Sequence, residues 1–258
     1  MKIIVLVKEV PDTYGERYLN LETGLAEREG SDAAIDEIGA RALEAALTAT
    51  EDIDGASVSV LAMSPEGSTA SIRKVLAMGA ESATHIADEA LTGADLGLTA
   101  ETLAAALGRE AFDVVVAGNA STDGSSGVIP AMLAELLDVP LMTNLSELEI
   151  TESAVSGTRE VDGGVQRVSA GLPAVVSITE ALPDARFPSF KGIMAAKKKP
   201  FEVLSLADLG VDAEDMTVPR SIMVSVAQKP PREAGLKITD EGDAGEKLAE
   251  YLVENRLV

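Results

Sequence analysis

The sequence predicts an α/β protein with a doubly wound, mostly parallel sheet, because short apolar strands alternate with amphipathic helices along the chain. Most of these strands are rich in β-branched residues, which is typical of strands buried on both faces of a sheet. The predicted strands cover residues 2–7, 57–62, 83–87, 113–117 and 172–178. Hydrophobic residues make up 46% of the chain, which is ample for the core of such a sheet.

The helices are predicted from apolar spacing and from capping residues. Apolar side chains recur every three or four positions from Ile38 to Ala46, which predicts a helix over residues 36–49. Residues 64–66 (Ser-Pro-Glu) predict the start of a second helix, with Pro65 at its first position, and Gly79 predicts its end. Further helices are predicted over residues 98–107, 131–137 and 244–254, and a hairpin is predicted around residues 162–164.

The alternation of strands and helices weakens after about residue 180. Pro-rich turns and isolated short helices follow, among them the Lys229-Pro230-Pro231 turn. The sequence therefore predicts an α/β nucleotide-binding domain over residues 1–185. Residues 186–258 are predicted to form an extension that packs on another surface.

The composition excludes several classes of function. The chain has 258 residues and a net charge of −22, so a nucleic-acid backbone would be repelled. It has no cysteine, which excludes disulfides, thiolate metal sites and a cysteine nucleophile. The apolar start is too short for a signal peptide, and no run approaches the 18 apolar residues or so of a membrane span. We expect a protein of the cytoplasm that does not insert into membranes.

The Gly/Ser-rich loop over residues 118–130 is the best candidate for a ligand site. It follows a buried strand and opens a helix, and ligands of open α/β sheets bind at the carboxyl ends of the strands. Its three glycines allow close approach, its hydroxyl groups can donate hydrogen bonds, and the helix N-terminus favours an anion. These features predict a phosphate-bearing ligand, and the alternative is an ordinary Gly/Ser turn. The loop is neither a GxGxxG motif nor a P-loop.

No set of residues for side-chain catalysis is recognisable. A Ser/His/Asp set, an HExxH motif and a pyrophosphatase-type loop are all missing from the sequence. The single histidine, His85, lies in an apolar run and has no second His or Cys with which to share a metal. It is therefore predicted to be a core or surface histidine, no metal is expected, and the chain is not expected to be an enzyme.

Residues 180–200 have the composition of a docking surface. Four large apolar residues and Arg186 precede the basic run 197–199 in a chain that is otherwise acidic and only 3% aromatic. The alternative is a buried connection whose phenylalanines fill the core. The candidate partner-binding residues of this segment are Arg186, Phe187, Phe190, Ile193 and Met194.

Several motifs together resemble the beta subunit of electron-transfer flavoprotein. They occur in the family's order as VKEVPDT (7–13), IRKVLAMGAE (72–81), AGNASTDG (117–124), REVDGG (159–164), LPAVVSI (172–178) and RFPSFKGIMAAKKK (186–199). The last of them is highly specific, and DLGVD (208–212) fits as well. The chain departs from the common pattern where Asp36-Glu37 replaces the usual Asn-Pro, and where Ser125-Ser126-Gly127 stands in for more varied polar residues.

The resemblance implies an adenine-nucleotide-binding, Rossmann-like domain that buries an AMP of structural role. By position, the AMP-binding residues would be Leu6, Asp36, Glu37, Ile38, Gly39, Met63, Gly118, Asn119, Ala120, Ser121, Thr122, Asp123, Gly124, Ser125, Ser126, Gly127, Val128 and Ile129.

The resemblance also implies a heterodimer with an alpha subunit, which holds most of the redox FAD, and an extension that wraps this partner. Thr13 and Ile38 match positions near the flavin, and Glu160 matches the position that pairs with an arginine of the alpha subunit. Phe190 matches the apolar anchor by which the family's recognition loop grips dehydrogenases.

The resemblance implies an electron carrier that accepts electrons from acyl-CoA-type dehydrogenases and passes them to a membrane quinone oxidoreductase. Three alternatives stay open at this point. Some relatives bind a second FAD in place of AMP and bifurcate electrons. The second alternative is a stand-alone nucleotide-binding regulator, and the third is an ATP-cleaving enzyme. The missing pyrophosphate loop and catalytic lysine disfavour the ATP-cleaving enzyme.

Overall fold

A computed structural model describes residues 1–28 and 32–258. The strands are β1 (Lys2–Val7), β2 (Glu9–Pro11), β3 (Ala33–Ile35), β4 (Ser57–Met63), β5 (Ser82–Ile86), β6 (Val114–Gly118), β7 (Leu141–Leu145), β8 (Glu147–Ile150), β9 (Ala154–Val161), β10 (Gly164–Gly171), β11 (Ala174–Ile178) and β12 (Phe201–Leu204). The helices are α1 (Glu37–Thr50), α2 (Thr69–Met78), α3 (Leu96–Leu107), α4 (Ile129–Leu137), α5 (Phe190–Ala196), α6 (Leu206–Leu209) and α7 (Ala244–Glu254).

The main sheet confirms the predicted α/β fold. Seven strands are ordered β12-β5-β4-β1-β6-β11-β7, and every neighbouring pair is parallel. The order reverses beside β1, where the chain runs outward to β4 on one side and to β6 on the other. A crevice forms beyond the carboxyl ends of the strands at such a reversal.

Helices cover both faces of this sheet because the central strands are apolar on both sides. Ile3 and Val5 of β1 belong to a core cluster that α1 and α2 close, with Leu43 and Leu76 at its centre. Ile4, between them, belongs to a second cluster on the opposite face, where α3 and α4 pack. Successive side chains of a strand point to opposite faces, so this alternation explains why the sheet needs two helical layers.

The second predicted helix begins later than its sequence indicates. Residues Glu66–Ser68 form a single 3-10 turn, and α2 starts only at Thr69, so Pro65 is not its first residue. The Ser68 side chain is fully buried and donates a hydrogen bond to Glu9 Oε1 at 2.5 Å. The predicted end is confirmed, because Gly79 follows α2 with a φ of 149°.

The chain groups into two compact units, Met1–Ser225 and Val226–Val258. β12 pairs with β5 in the main sheet of the first unit, although its short sequence FEVL was not predicted as a strand. The second unit contains α7, with the bounds that the sequence predicted. The predicted boundary between a domain of residues 1–185 and an extension of residues 186–258 stays a prediction. The wrapping of a partner by this extension also stays a prediction. In the part of the chain that the structure describes, no helix combines the length and apolarity that a bilayer span requires.

Candidate functional site

A cleft of about 1630 Å³ lies within the first unit at the carboxyl ends of its central strands. The ends of β1, β4 and β6, the loop before α4 and the start of α3 form its walls. The predicted AMP residues that line it are Leu6, Asp36, Ile38, Gly39, Met63, Gly118, Asn119, Ala120, Ser121, Gly124, Ser126, Gly127 and Ile129. Glu37, Thr122, Asp123, Ser125 and Val128 are not among the lining residues, and neither is Thr13.

The loop before α4 has free backbone amides, and three of the residues that carry them, Ser126, Gly127 and Ile129, line this cleft. The backbone amides of its first half are partly satisfied, because Asn119 N–H donates to Ile178 O of β11 and Ser125 N–H donates to Ser121 O, both at 2.9 Å. In residues 1–28 and 32–258, the backbone N–H groups of residues 126–129 donate to no protein acceptor. Free amides at a helix N-terminus form a ready site for an anion.

Two positions of this loop have backbone angles that shape the cleft. Ser125 and Gly127 have φ values of 54° and 65°, in the left-handed region. A side chain at Gly127 would also bring a Cβ to 3.3 Å from Asn119 O. Nearby, a Cβ at Gly118 would lie 2.5 Å from Ile38 Cγ2, so only glycine lets β6 pass this close to the start of α1.

Asp123 is a residue of this loop and fastens it to two distant segments. One carboxylate oxygen accepts a hydrogen bond from Lys8 Nζ and the other from Arg28 Nη2, both at 2.8 Å, while the Asp123 side chain is only 7% exposed. Burial acts to raise the pKa of Asp123, but the two cations hold the pKa well below its usual value. Arg17 adds a second fastening by donating to Thr122 O at 2.5 Å.

We expect Asp123→Asn to lower the free energy of unfolding by about 1 kcal/mol at pH 7, since both cations are partly exposed and screened by water. A carboxyl with a lowered native pKa stabilises the fold above its unfolded pKa of about 3.9. That contribution is lost as the pH falls through the native pKa, so the gap between wild type and variant should shrink in acid.

Urea unfolding at pH 7 and pH 3 measures both effects. Asp52→Asn is the matched control, because Asp52 is exposed on a turn of the described chain. Equal unfolding free energies for wild type and Asp123→Asn at pH 7 would show that the two ion pairs do not stabilise the loop.

Part of the cleft wall was missed by the sequence analysis. Most residues of the segments 20–28 and 87–96 line the cleft, together with Ser221, and neither segment carries a recognisable motif. Asp95 connects two of these segments, because its carboxylate accepts hydrogen bonds from Leu98 N at 2.8 Å and from Ser221 N at 2.5 Å. The Asp cap before α3 is readable from the sequence, but its contact with residue 221 is not.

His85 belongs to the core, which is one of the two locations that the sequence left open. Its side chain is fully buried, and its Nε2 lies 3.0 Å from both the hydroxyl oxygen and the carbonyl oxygen of Ser64. Phe201 packs edge-on against the imidazole, with 6.1 Å between ring centres. Since Ser64 lines the cleft, the imidazole supports the cleft wall from behind.

The candidate docking segment exposes both of its phenylalanines, Phe190 at the start of the short helix α5 and Phe187 just before this helix. Phe187 and Phe190 are 95% and 82% exposed, and Ile193 and Met194 are about half exposed. Ser189 caps α5 by accepting a hydrogen bond from Gly192 N–H at 3.0 Å. These exposures exclude the alternative of a buried connection whose phenylalanines fill the core.

Three contacts hold this segment on α1 and α2. Arg186 donates to both carboxylate oxygens of Glu44, at 2.7 and 2.9 Å, and this bond lowers the pKa of Glu44. Lys199 Nζ donates to Leu76 O at 2.8 Å, in the last turn of α2, and to Ala80 O at 2.6 Å, just after this helix. A Cβ on residue 192 would lie 2.3 Å from Ala77 O, so a glycine is required where α5 crosses α2.

Glu160 and Thr13, the two remaining candidate positions, are both exposed. Glu160 lies near the end of β9, opposite Val165 of β10, on the hairpin that the sequence predicted. Thr13 follows β2 in a turn. Their proximity to a flavin or to an arginine of another chain stays a prediction.

Comparison with known proteins gives a consistent result. A family model described as an electron transfer flavoprotein domain matches residues 23–209. The chain is 46% identical over 264 residues to the electron transfer flavoprotein subunit beta of Mycobacterium leprae, covering 99% of each protein. It is 33% identical over 253 residues to the same subunit of Bacillus subtilis, covering 98% of this chain and 96% of that protein.

A further relative carries a different name. The caffeyl-CoA reductase-Etf complex subunit CarD of Acetobacterium woodii is 33% identical over 215 residues, which cover 83% of this chain and 82% of that protein.

Proposed function

The chain belongs to the electron transfer flavoprotein family, as a beta subunit, and from this premise we propose that it docks dehydrogenases and buries AMP in a heterodimeric electron carrier. As a beta subunit it has an alpha partner, and the assembled protein carries electrons on a flavin. The proposed donors are acyl-CoA-type dehydrogenases, as in fatty acid oxidation, and the proposed acceptor is a membrane quinone oxidoreductase reached from the cytoplasm.

The exposed Phe190 is the observation that supports this role most directly. A fixed helix presents this aromatic side chain to solvent in a chain with only four phenylalanines. One large apolar residue entering a partner's pocket can dominate the energy of a small interface. Such an anchor leaves a flavin domain elsewhere in the complex free to move and to sample electron-transfer geometries.

Two features of the cleft walls support the proposal that AMP binds there. The free amides of residues 126–129 would hold its phosphate at the N-terminus of α4. The apolar side chains of Leu6, Leu61 and Met63 line the same cleft and would contact its base. The phosphate end of the cleft thus carries partial positive charge from the backbone, without a lysine of the P-loop kind.

FAD supplies the redox chemistry of the complex. In our proposal the alpha subunit holds most of this FAD, and this chain adds a few contacts to it. Thr13 and Ile38 are the proposed contacts near the flavin ring. Glu160, exposed near the end of β9, is the proposed ion-pair partner of an alpha-subunit arginine. An exposed pair of this kind is worth only about 0–1 kcal/mol, which is weak enough to break each time the flavin domain moves. Residues 186–258, which include α7, are the proposed extension that packs on alpha.

A second FAD in the cleft is the second candidate. The cleft volume of about 1630 Å³ exceeds the 300–1,000 Å³ or so that is usual for ligand pockets, and a dinucleotide would use more of it than AMP does. The CarD relative, named as part of a reductase–Etf complex, is consistent with such variation in the family. A bifurcating carrier would follow from this occupancy.

We expect one FAD and one AMP per heterodimer when the chain is co-expressed with its alpha subunit, purified and denatured. The released cofactors are quantified by chromatography against the protein concentration. Two FAD without AMP would contradict the AMP proposal and support the bifurcating carrier. Failure to form a complex, with nucleotide still bound by this chain alone, would instead support a stand-alone nucleotide-binding regulator.

A further inference from the structure

Residues 17–28 form a small hairpin along the cleft, which we call the strap. Its two arms pair at Leu19 and Ala26, and the Asn20 side chain closes its turn by accepting hydrogen bonds from two backbone amides of the strap. The strap is therefore held together by its own contacts. The strap residues that line the cleft are Asn20, Thr23, Leu25, Ala26, Glu27 and Arg28.

Two arginines attach the strap to the Gly/Ser-rich loop that forms one wall of the cleft. Arg17 donates to the carbonyl oxygens of Thr122 and Pro11, at 2.5 and 2.9 Å. Arg28 donates to Asp123 Oδ2 at 2.8 Å. Among residues 1–28 and 32–258, every hydrogen bond that leaves the strap comes from one of these two side chains. The attachment on this side is therefore polar and depends on two residues.

The tip of the strap rests against a second wall of the cleft, the segment of residues 87–96. A Cβ on residue 93 would lie 3.4 Å from Leu25 Cδ2. The strap buries little other apolar surface, since Tyr18 and Leu19 are both 58% exposed. A segment with few buried apolar contacts opens locally at a small cost in free energy, while the rest of the domain stays folded.

We infer that the strap covers the cleft, that Arg17 and Arg28 hold it closed, and that its opening sets the rate at which bound nucleotide exchanges with nucleotide in solution. The strap contacts two walls and lines the space between them, so a ligand held there is covered until the strap moves. The inference rests on the proposed function, because it takes the cleft to hold AMP. It concerns release of the ligand and requires no contact of either arginine with it.

Isotope exchange measures the proposed opening. The purified heterodimer, with its AMP bound, is incubated with an excess of isotope-labelled AMP and separated from free nucleotide at intervals. Mass spectrometry of the nucleotide released on denaturation gives the labelled fraction. Arg17→Gln and Arg28→Gln together are expected to accelerate exchange by about 10-fold or more, because each removes a charged hydrogen-bond donor. Arg109→Gln is the matched control, because it breaks an exposed ion pair with Glu202 outside the cleft lining.

A cross-link provides the converse test. The chain has no cysteine, so Leu25→Cys with Thr92→Cys places its two thiols on the strap and on the wall beside residue 93. A short bis-maleimide with a cleavable disulfide spacer joins them, and we expect exchange almost to stop until dithiothreitol cleaves the spacer. The single Leu25→Cys variant, treated with the same reagent, is the control. The cross-link should also slow exchange in the chain that lacks both arginines, which a general loss of stability would not allow.

The outcomes separate the inference from the proposed function. Exchange at the wild-type rate in the variant without both arginines would contradict their role in holding the strap. Exchange that continues unchanged through the cross-link would exclude the strap as the route of release. In both cases AMP is still found in the complex, so the proposed function stands. A wild-type heterodimer that retains no AMP would contradict the AMP site and the inference together.

Discussion

Replacing Phe190 with alanine is expected to lower kcat/KM for reduction of the carrier by a partner dehydrogenase by about 30-fold or more. This corresponds to the loss of about 2 kcal/mol that defines a dominant interface residue. The Phe190 side chain is 82% exposed, so its removal takes away no core packing from the free chain. Flavin and AMP content should be unchanged. The rate of reduction is measured by stopped-flow absorbance, because the flavin bleaches as the dehydrogenase reduces it.

Leu136→Ala is the control for this experiment. Leu136 is another exposed apolar residue, on α4, and it belongs to no proposed docking surface. The Leu136→Ala carrier should be reduced with the same kcat/KM as the wild-type carrier. A Phe190→Ala carrier that is reduced as fast as wild type at every carrier concentration would end the docking proposal for α5.

Lys199→Met is expected to lower the free energy of unfolding by about 2 kcal/mol. The Lys199 ammonium donates to the carbonyls of Leu76 and Ala80, and a methionine leaves both without this donor. Burial lowers the pKa of Lys199, so part of the hydrogen-bond energy is offset by desolvation and the net effect stays modest. Chemical unfolding of the heterodimer and of the variant heterodimer measures the difference.

Lys74→Met provides the matched control, because Lys74 is an exposed lysine in the middle of α2. The Lys199 variant should also bind the dehydrogenase less tightly, since α5 rests on the end of α2 that Lys199 holds. If both variants unfold at the same denaturant concentration, the contact of Lys199 with α2 contributes no stability.

The sequence predicts the central sheet well because its strands carry their signal locally. The run at β6 is apolar and β-branched and is followed by glycine, which leaves few alternatives to a buried parallel strand. α7 is predicted to the residue, since its apolar spacing has a clear start and end. Tertiary packing is not needed to recognise either element.

The elements that the sequence does not predict depend on distant contacts. β12 has four residues and two of them are exposed, but β5 supplies its hydrogen bonds across more than a hundred positions of the chain. α5 contains Gly192, which lowers its helix propensity, yet the glycine is what lets it approach α2. In both cases a tertiary neighbour overrides a weak local preference.

The same distinction applies to the candidate site. The loop of residues 118–130 is recognisable because glycines and hydroxyl residues follow a buried strand. The ion pairs of Asp123 are not, because Lys8 and Arg28 are 115 and 95 positions away. The segment of residues 20–28 reaches the cleft through such contacts and through no motif of its own.

His85, the single histidine of the chain, can serve as a spectroscopic probe of the cleft. The chain has one histidine, so every imidazole resonance of a selectively labelled beta subunit in an NMR spectrum belongs to His85. Because its Nε2 lies 3.0 Å from Ser64 O and Ser64 lines the cleft, any ligand that moves this carbonyl will shift that signal. Cleft occupancy can thus be followed inside the intact heterodimer, without a fluorophore and without releasing the nucleotide.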